Sequence, residues 1–118
     1  MLKETSAIKK YLAYIPLRLA YLKIYNVPPT HNEYKYYLEL YKSIKEYGKK
    51  HKVFFYFITS KINYKKFKAF HRVSERTGYR ILAKQRKEFL EFLTQKEAEL
   101  SRKYPFENGL DIKELQNG

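Results

Sequence analysis

Ser74 to Pro105 most constrains what this chain can become. Ser74 can cap a helix that begins at Glu75. Ile81, Leu82, Phe89, Leu90, Phe92, Leu93 and Leu100 then recur at helical intervals to about Lys103, and Pro105 stops the run. One long helix is therefore expected here.

The segments before it carry the same period. From about Thr5 to Tyr25, Ile8, Tyr11, Leu12, Ile15, Leu19, Leu22 and Ile24 form a stripe. Pro16 interrupts it and removes an intrahelical donor, so a kink or two shorter helices are expected. "NVPP", residues 26–29, ends the segment. "THNE", residues 30–33, has the form of a capping box with Thr30 as N-cap and Glu33 reaching back. Tyr34, Tyr37, Leu38, Tyr41, Ile44 and Tyr47 follow at helical spacing, with Gly48 as a stop. "KVFFYFITS", residues 52–60, suits a buried strand or a buried helix, and its helical surroundings favour the helix. Ile62 to Phe70 reads as a further helix capped by Asn63, and the tail as holding one short helix near Asp111 to Leu115.

The expected fold class is all-α: a small helical bundle of about five to six helices, with a helix-turn-helix-like pair and the long C-terminal helix. Its 118 residues suit one hydrophobic core. They divide into a single domain over 1–118, a basic segment over 61–87 and a tail over 104–118.

Charge then narrows the function. The formal net charge is +13, and its distribution is uneven. Residues 1–48 hold 8 basic and 4 acidic side chains, residues 49–87 hold 13 and 1, and residues 88–118 hold 4 and 7. Concentrating like charge costs stability through self-repulsion, so a polyanionic partner is favoured over solubility alone. Solvated helix faces normally mix signs and gain i,i+4 pairs, whereas here Glu75 stands alone among the bases. Cysteine is absent, which excludes disulfide scaffolds and Cys-based zinc sites. No apolar run of the roughly 18 residues needed to span a bilayer is present. Lys3, Lys9, Lys10 and Arg18 break any signal-peptide core, so an intracellular, cytoplasmic protein without a membrane partner is expected.

A helix-turn-helix needs a hydrophobic seam between two short helices, a polar N-cap on the second, and long donors along its outer face. In "INYKKFKAFHRVSERTGYRILAKQ", Ile62, Tyr64 and Phe67 would seat the first helix, Val73 would plug the turn, and Ile81 and Leu82 would anchor the second. "VSERTGYRIL" resembles the recognition-helix segment of many bacterial and archaeal regulators and transposase N-termini. In these a hydrophobic residue, a Ser cap, a Thr three residues on and an Arg recur at such offsets. The resemblance spans about 24 residues and implies that Glu75, Arg76, Thr77, Tyr79 and Arg80 face the groove, beside the Ser74 cap. It also implies that Lys84 and Arg86 lie near the phosphates, and a DNA-binding reading of the basic segment adds Lys61, Lys65, Lys66, Lys68, Arg72 and Lys87 as phosphate contacts. Three positions depart from the pattern: Lys68 replaces a small residue, Arg72 the turn glycine, and Gly78 an apolar seam residue. Each is expected to loosen the crossing.

The leading expectation is DNA binding, more than RNA, as a regulator or replication accessory. The acidic, Phe- and Leu-rich stretch 88–100 would either pack the bundle or form the seam of a homodimer. Tyr56, Tyr64, Phe67, Phe70 and Tyr79 interleave with the bases, and rings beside positive charge suit stacking of unpaired bases. Phe67 and Phe70 are expected in the core, leaving Tyr64 and Tyr79 as the candidates for such contacts. The alternative is thus a helical module for single-stranded template or nucleotide, like the accessory domains of plasmid or viral primases. A ribosome-associated or protein-interaction module is a third reading.

His31, His51 and His71 fall on separate segments, and phosphate loops, paired-carboxylate motifs and nucleophile elbows are lacking. A tyrosine nucleophile would need a histidine pair or an Arg and His cluster around the phosphate. No catalysis, metal or other cofactor is expected.

Overall fold

The computed structural model describes residues 2–106, with side chains from Ser6 onward. They form five helices and no strand: α1 (Leu2–Ile24), α2 (Asn32–Lys50), α3 (Lys52–Ile58), α4 (Tyr64–His71) and α5 (Glu75–Lys103). The protein is an all-α bundle, and α5 is its longest helix among the described residues. A helix of this length spans about 44 Å, which sets the long axis of a body 52 × 27 × 21 Å in extent. The short helix expected near Asp111 to Leu115 lies outside the described residues.

α2 packs against both α1 and α5, while α3 and α4 fold against each other and link to α1, α2 and α5. The core joins Ile8 and Ile15 of α1, Tyr36, Leu40 and Ile44 of α2, Phe54 and Ile58 of α3, Phe67 of α4, and Leu82, Phe89, Leu93 and Leu100 of α5. "KVFFYFI" is helical because Phe54 and Ile58, four residues apart, share the buried face. Phe89, Leu93 and Leu100 are spent inside the bundle, so the stretch 88–100 packs the core.

α1 runs through Pro16 as one helix rather than two. It buries Ile8, Ile15 and Leu22 at intervals of seven and exposes Tyr14, Leu17, Tyr21 and Ile24, and Tyr25 just beyond its end is exposed as well.

The capping box does not form. His31, not Thr30, is the N-cap of α2, and its Nδ1 accepts from the Glu33 amide at 3.2 Å. The Glu33 carboxylate is buried and takes both Nε and Nη2 of Arg18 from α1, the Nε at 2.8 Å. A charge-assisted fork to arginine outweighs a single bond to a neighbouring amide. Gly48 does not end α2 either. The helix continues to Lys50, and a Cβ at position 48 would stand 2.7 Å from Cδ2 of Phe55, so this glycine lets α3 fold back.

Candidate nucleic-acid interface

α4 and α5 form the helical pair that the basic segment implies. Asn63 caps α4 by accepting from the Lys66 amide at 2.9 Å, and Ser74 caps α5 by accepting from the Thr77 amide at 3.3 Å. The Ser74 hydroxyl also donates to Thr77 Oγ1 at 3.1 Å, so both hydroxyls are engaged in fixing the start of the helix. Between the helices Arg72 takes a left-handed conformation, φ 53° and ψ 48°. That is the geometry a turn glycine adopts without cost, and a side chain there costs roughly 1–2 kcal/mol.

The crossing is tight, contrary to the expectation from Lys68 and Gly78. Gly78 is buried, and a Cβ on it would meet Tyr64 Oη at 2.5 Å and the Lys68 Cγ at 3.7 Å. The small residue sits on the second helix, and the half-buried Lys68 stem lies along it. The Tyr64 phenol donates to the Glu75 carbonyl, and its ring stacks on Tyr79 at 4.3 Å and 8°. Desolvation, then the neighbouring Tyr79 and Glu75, raise the Tyr64 pKa above its ordinary value, which keeps the phenol a donor. Tyr64 thus pins the first turn of α5.

On the outer face of α5, Arg76, Thr77, Tyr79, Arg80, Lys84 and Lys87 are exposed, and Glu75 and Ser74 are exposed beside them. Lys61, Lys65, Lys66 and Arg72 are exposed on the α4 side. Among the described residues, no ion pair joins any of these bases to a carboxylate.

Two expectations are overturned. Arg86 is only 6% exposed. It lies on the stripe of Gly78, Leu82, Phe89 and Leu93 that α5 turns inward, so it cannot serve as an outer phosphate contact. Phe70, expected in the core, is 60% exposed, because α4 is only eight residues long and buries Phe67 alone.

The structure adds bases the motif did not include. One cleft is lined by Lys45, Lys49, Lys52, Tyr56, Thr59 and Lys61, among others, and a second by Lys9, Lys61 and Lys66. Lys61 belongs to both and sits over the exposed Tyr56 ring, 5.7 Å from its centroid. Among the described residues no carboxylate lines either cleft. Lys49 and Lys52 lay within the charge-dense third of the chain, which is the signal that marks them. Lys9, far away in sequence, carried none.

The histidines serve packing and capping. His31 caps α2, His51 stacks on Tyr47 at 4.2 Å, and His71 packs edge-on against Phe67 at 4.8 Å. The turn separates His71 from Glu75. Among the described residues no group of three or more His, Cys, Asp or Glu is arranged to hold a metal. No helix among them is long and apolar enough to cross a membrane.

No family model, curated protein or solved structure matches this chain.

Proposed function

We propose that this protein binds nucleic acid, double-stranded DNA foremost, through α4, the turn and the start of α5, as a regulator or replication accessory. The observation that carries the reading is the outer face of α5. Arg76, Arg80, Lys84 and Lys87 succeed one another at helical spacing on a helix whose start is pinned by Ser74 and Tyr64. In this reading Arg76, Thr77 and Arg80 meet base edges, where arginine pairs with guanine through two hydrogen bonds. Lys61, Lys65, Lys66, Arg72, Lys84 and Lys87 meet phosphates, which fix register without reading sequence. Two copies would sit on two half-sites, as helix-turn-helix proteins commonly do. Apolar surface available for pairing includes the outer stripe of α1 and Leu90 of α5, since Phe89, Leu93 and Leu100 are used in the core.

A single-strand mode has one observation in its favour. The rings of Tyr56 and Phe70 are exposed, and Lys61 stands over Tyr56. Bases stack on such rings while lysines hold the backbone. Tyr64 does not support this mode, since Tyr79 covers one face of its ring.

Titration against duplex DNA, single-stranded DNA and RNA of matched length decides between the modes. The duplex reading expects tighter duplex binding, with Arg80→Ala relaxing sequence preference at a cost of about 1–3 kcal/mol. Tighter single-strand binding that is lost in Tyr56→Ala or Phe70→Ala would replace it with the stacking mode. Absence of binding to all three would reject both.

A further inference from the structure

The cleft between the N-terminal half of α1 and the α3–α4 connection is a site of a different kind from the α5 face. It is an open space of about 430 Å³, and its charged lining is Lys9 from α1, Lys61 from the connection and Lys66 from α4. The side chains of Ser6, Ser60 and Asn63 supply neutral donors at its wall. Lys9 Nζ donates to Ser60 Oγ, and this contact, 51 residues apart in sequence, holds one ammonium group at the rim. Ser60 itself is left-handed, with φ 63°, as the chain doubles back so that the Lys61 and Ile62 amides both reach the Tyr56 carbonyl. Three like charges drawn from three elements around one hollow repel one another, and among the described residues of the lining nothing anionic offsets them. The capped start of α4 adds the positive end of a helix dipole to the same wall.

We propose that this cleft binds a phosphate group, with Lys9, Lys61 and Lys66 as its counter-charges and Ser60 and Asn63 as hydrogen-bonding partners. The phosphate comes either from the terminal group of a nucleotide or strand end, or from the backbone of a bound strand. Only that question of source rests on the nucleic-acid reading; the site itself does not require α5 to enter a groove.

The test is titration of the full chain with inorganic pyrophosphate, followed by amide chemical shifts, for the wild type, Lys9→Gln and Lys9→Arg. Lys9 is exposed, so the unfolding midpoints of the three should coincide. Saturable shifts are expected at Ser60, Lys61 and Asn63. Affinity should fall about tenfold in Lys9→Gln, the loss of one charge-assisted contact, and be retained in Lys9→Arg. Shifts spread over Lys42, Lys45 and other surface lysines without saturation, or equal affinity in Lys9→Gln, would overturn the site. Two oligonucleotide arms then identify the source. A preference for a 5′-phosphorylated over a 5′-hydroxyl strand that disappears in Lys9→Gln assigns a terminal phosphate. Equal affinity for both strands with a shallower salt dependence in Lys9→Gln assigns the backbone. Pyrophosphate binding in the cleft without binding of any strand keeps the site and removes the nucleic-acid reading. Strand binding that Lys9→Gln leaves untouched in affinity and salt dependence removes the site and keeps that reading.

Discussion

The Tyr64 phenol fills the space that any side chain at position 78 would need: a Cβ on Gly78 would lie 2.5 Å from Tyr64 Oη. Gly78 costs its helix about 1 kcal/mol relative to alanine, and the close approach of α4 offsets that cost. Gly78→Ala should therefore destabilise the protein by about 1 kcal/mol net, since overpacking costs about 1–3 kcal/mol and exceeds the gain in helix propensity. In a Tyr64→Phe background the penalty should shrink. Denaturant unfolding of the two single variants and the double variant measures the coupling, and strict additivity would place the clash elsewhere.

Arg72 combines backbone strain with a proposed phosphate contact, and one substitution separates them. Arg72→Gly relieves the left-handed conformation and should stabilise the fold by about 0.5 kcal/mol, after the greater chain entropy of glycine is counted. The slope of log affinity for duplex against log salt should at the same time become shallower by about 1. An unchanged slope would remove Arg72 from the interface.

Arg86 supplies the internal control. Arg86→Ala should lower stability by about 1–3 kcal/mol, as truncations at buried positions do, and leave the salt slope as it is. Lys84→Gln and Lys87→Gln should do the reverse, each reducing the slope by about 1 at constant stability. Equal slope losses for all three would place Arg86 at the surface.

Glu97 gives the fold a pH dependence. Its carboxyl pKa is raised above the ordinary 4.5, chiefly by burial, with partial opposition from the neighbouring Tyr11 phenol. Burial and Glu97 in turn push the Tyr11 phenol well up. The folded state holds the Glu97 proton more tightly than the unfolded state, so stability declines as pH rises from 4.5 through the raised value. Glu97→Gln keeps the shape of the side chain and removes the ionisation. Its melting temperature should match wild type at pH 4 and exceed it at pH 7. The same difference at both values would mean that Glu97 is already ionised at low pH in the fold.

Local chemistry made much of this fold legible. Asn63 and Ser74 act on amides three residues away, so the starts of α4 and α5 follow from short stretches of chain. The capping box failed for the opposite reason. Arg18, 15 residues distant, takes the Glu33 carboxylate, and no local rule contains that contact. Arg86 was recoverable in principle: it stands four residues after Leu82 and three before Phe89, on the inward stripe, but its charge argued for the surface. The exposure of Phe70 and the place of Lys9 in a cleft depend on where helices end and cross, which periodicity does not encode. Gly78 departs from the motif in the sequence, but only the position of Tyr64 shows that it closes the crossing.

The central claim is that the exposed bases of α4 and α5 bind nucleic acid, and salt dependence tests it most directly. Duplex affinity should be measured from about 50 to about 200 mM salt for the wild type and for Lys65→Gln/Lys66→Gln/Lys84→Gln/Lys87→Gln. Six phosphate contacts predict a wild-type loss of about a thousandfold across that range, and the fourfold variant should show a slope shallower by about 4 with its melting temperature unchanged. Affinity that ignores salt, or a variant that binds with the wild-type slope, would contradict the account.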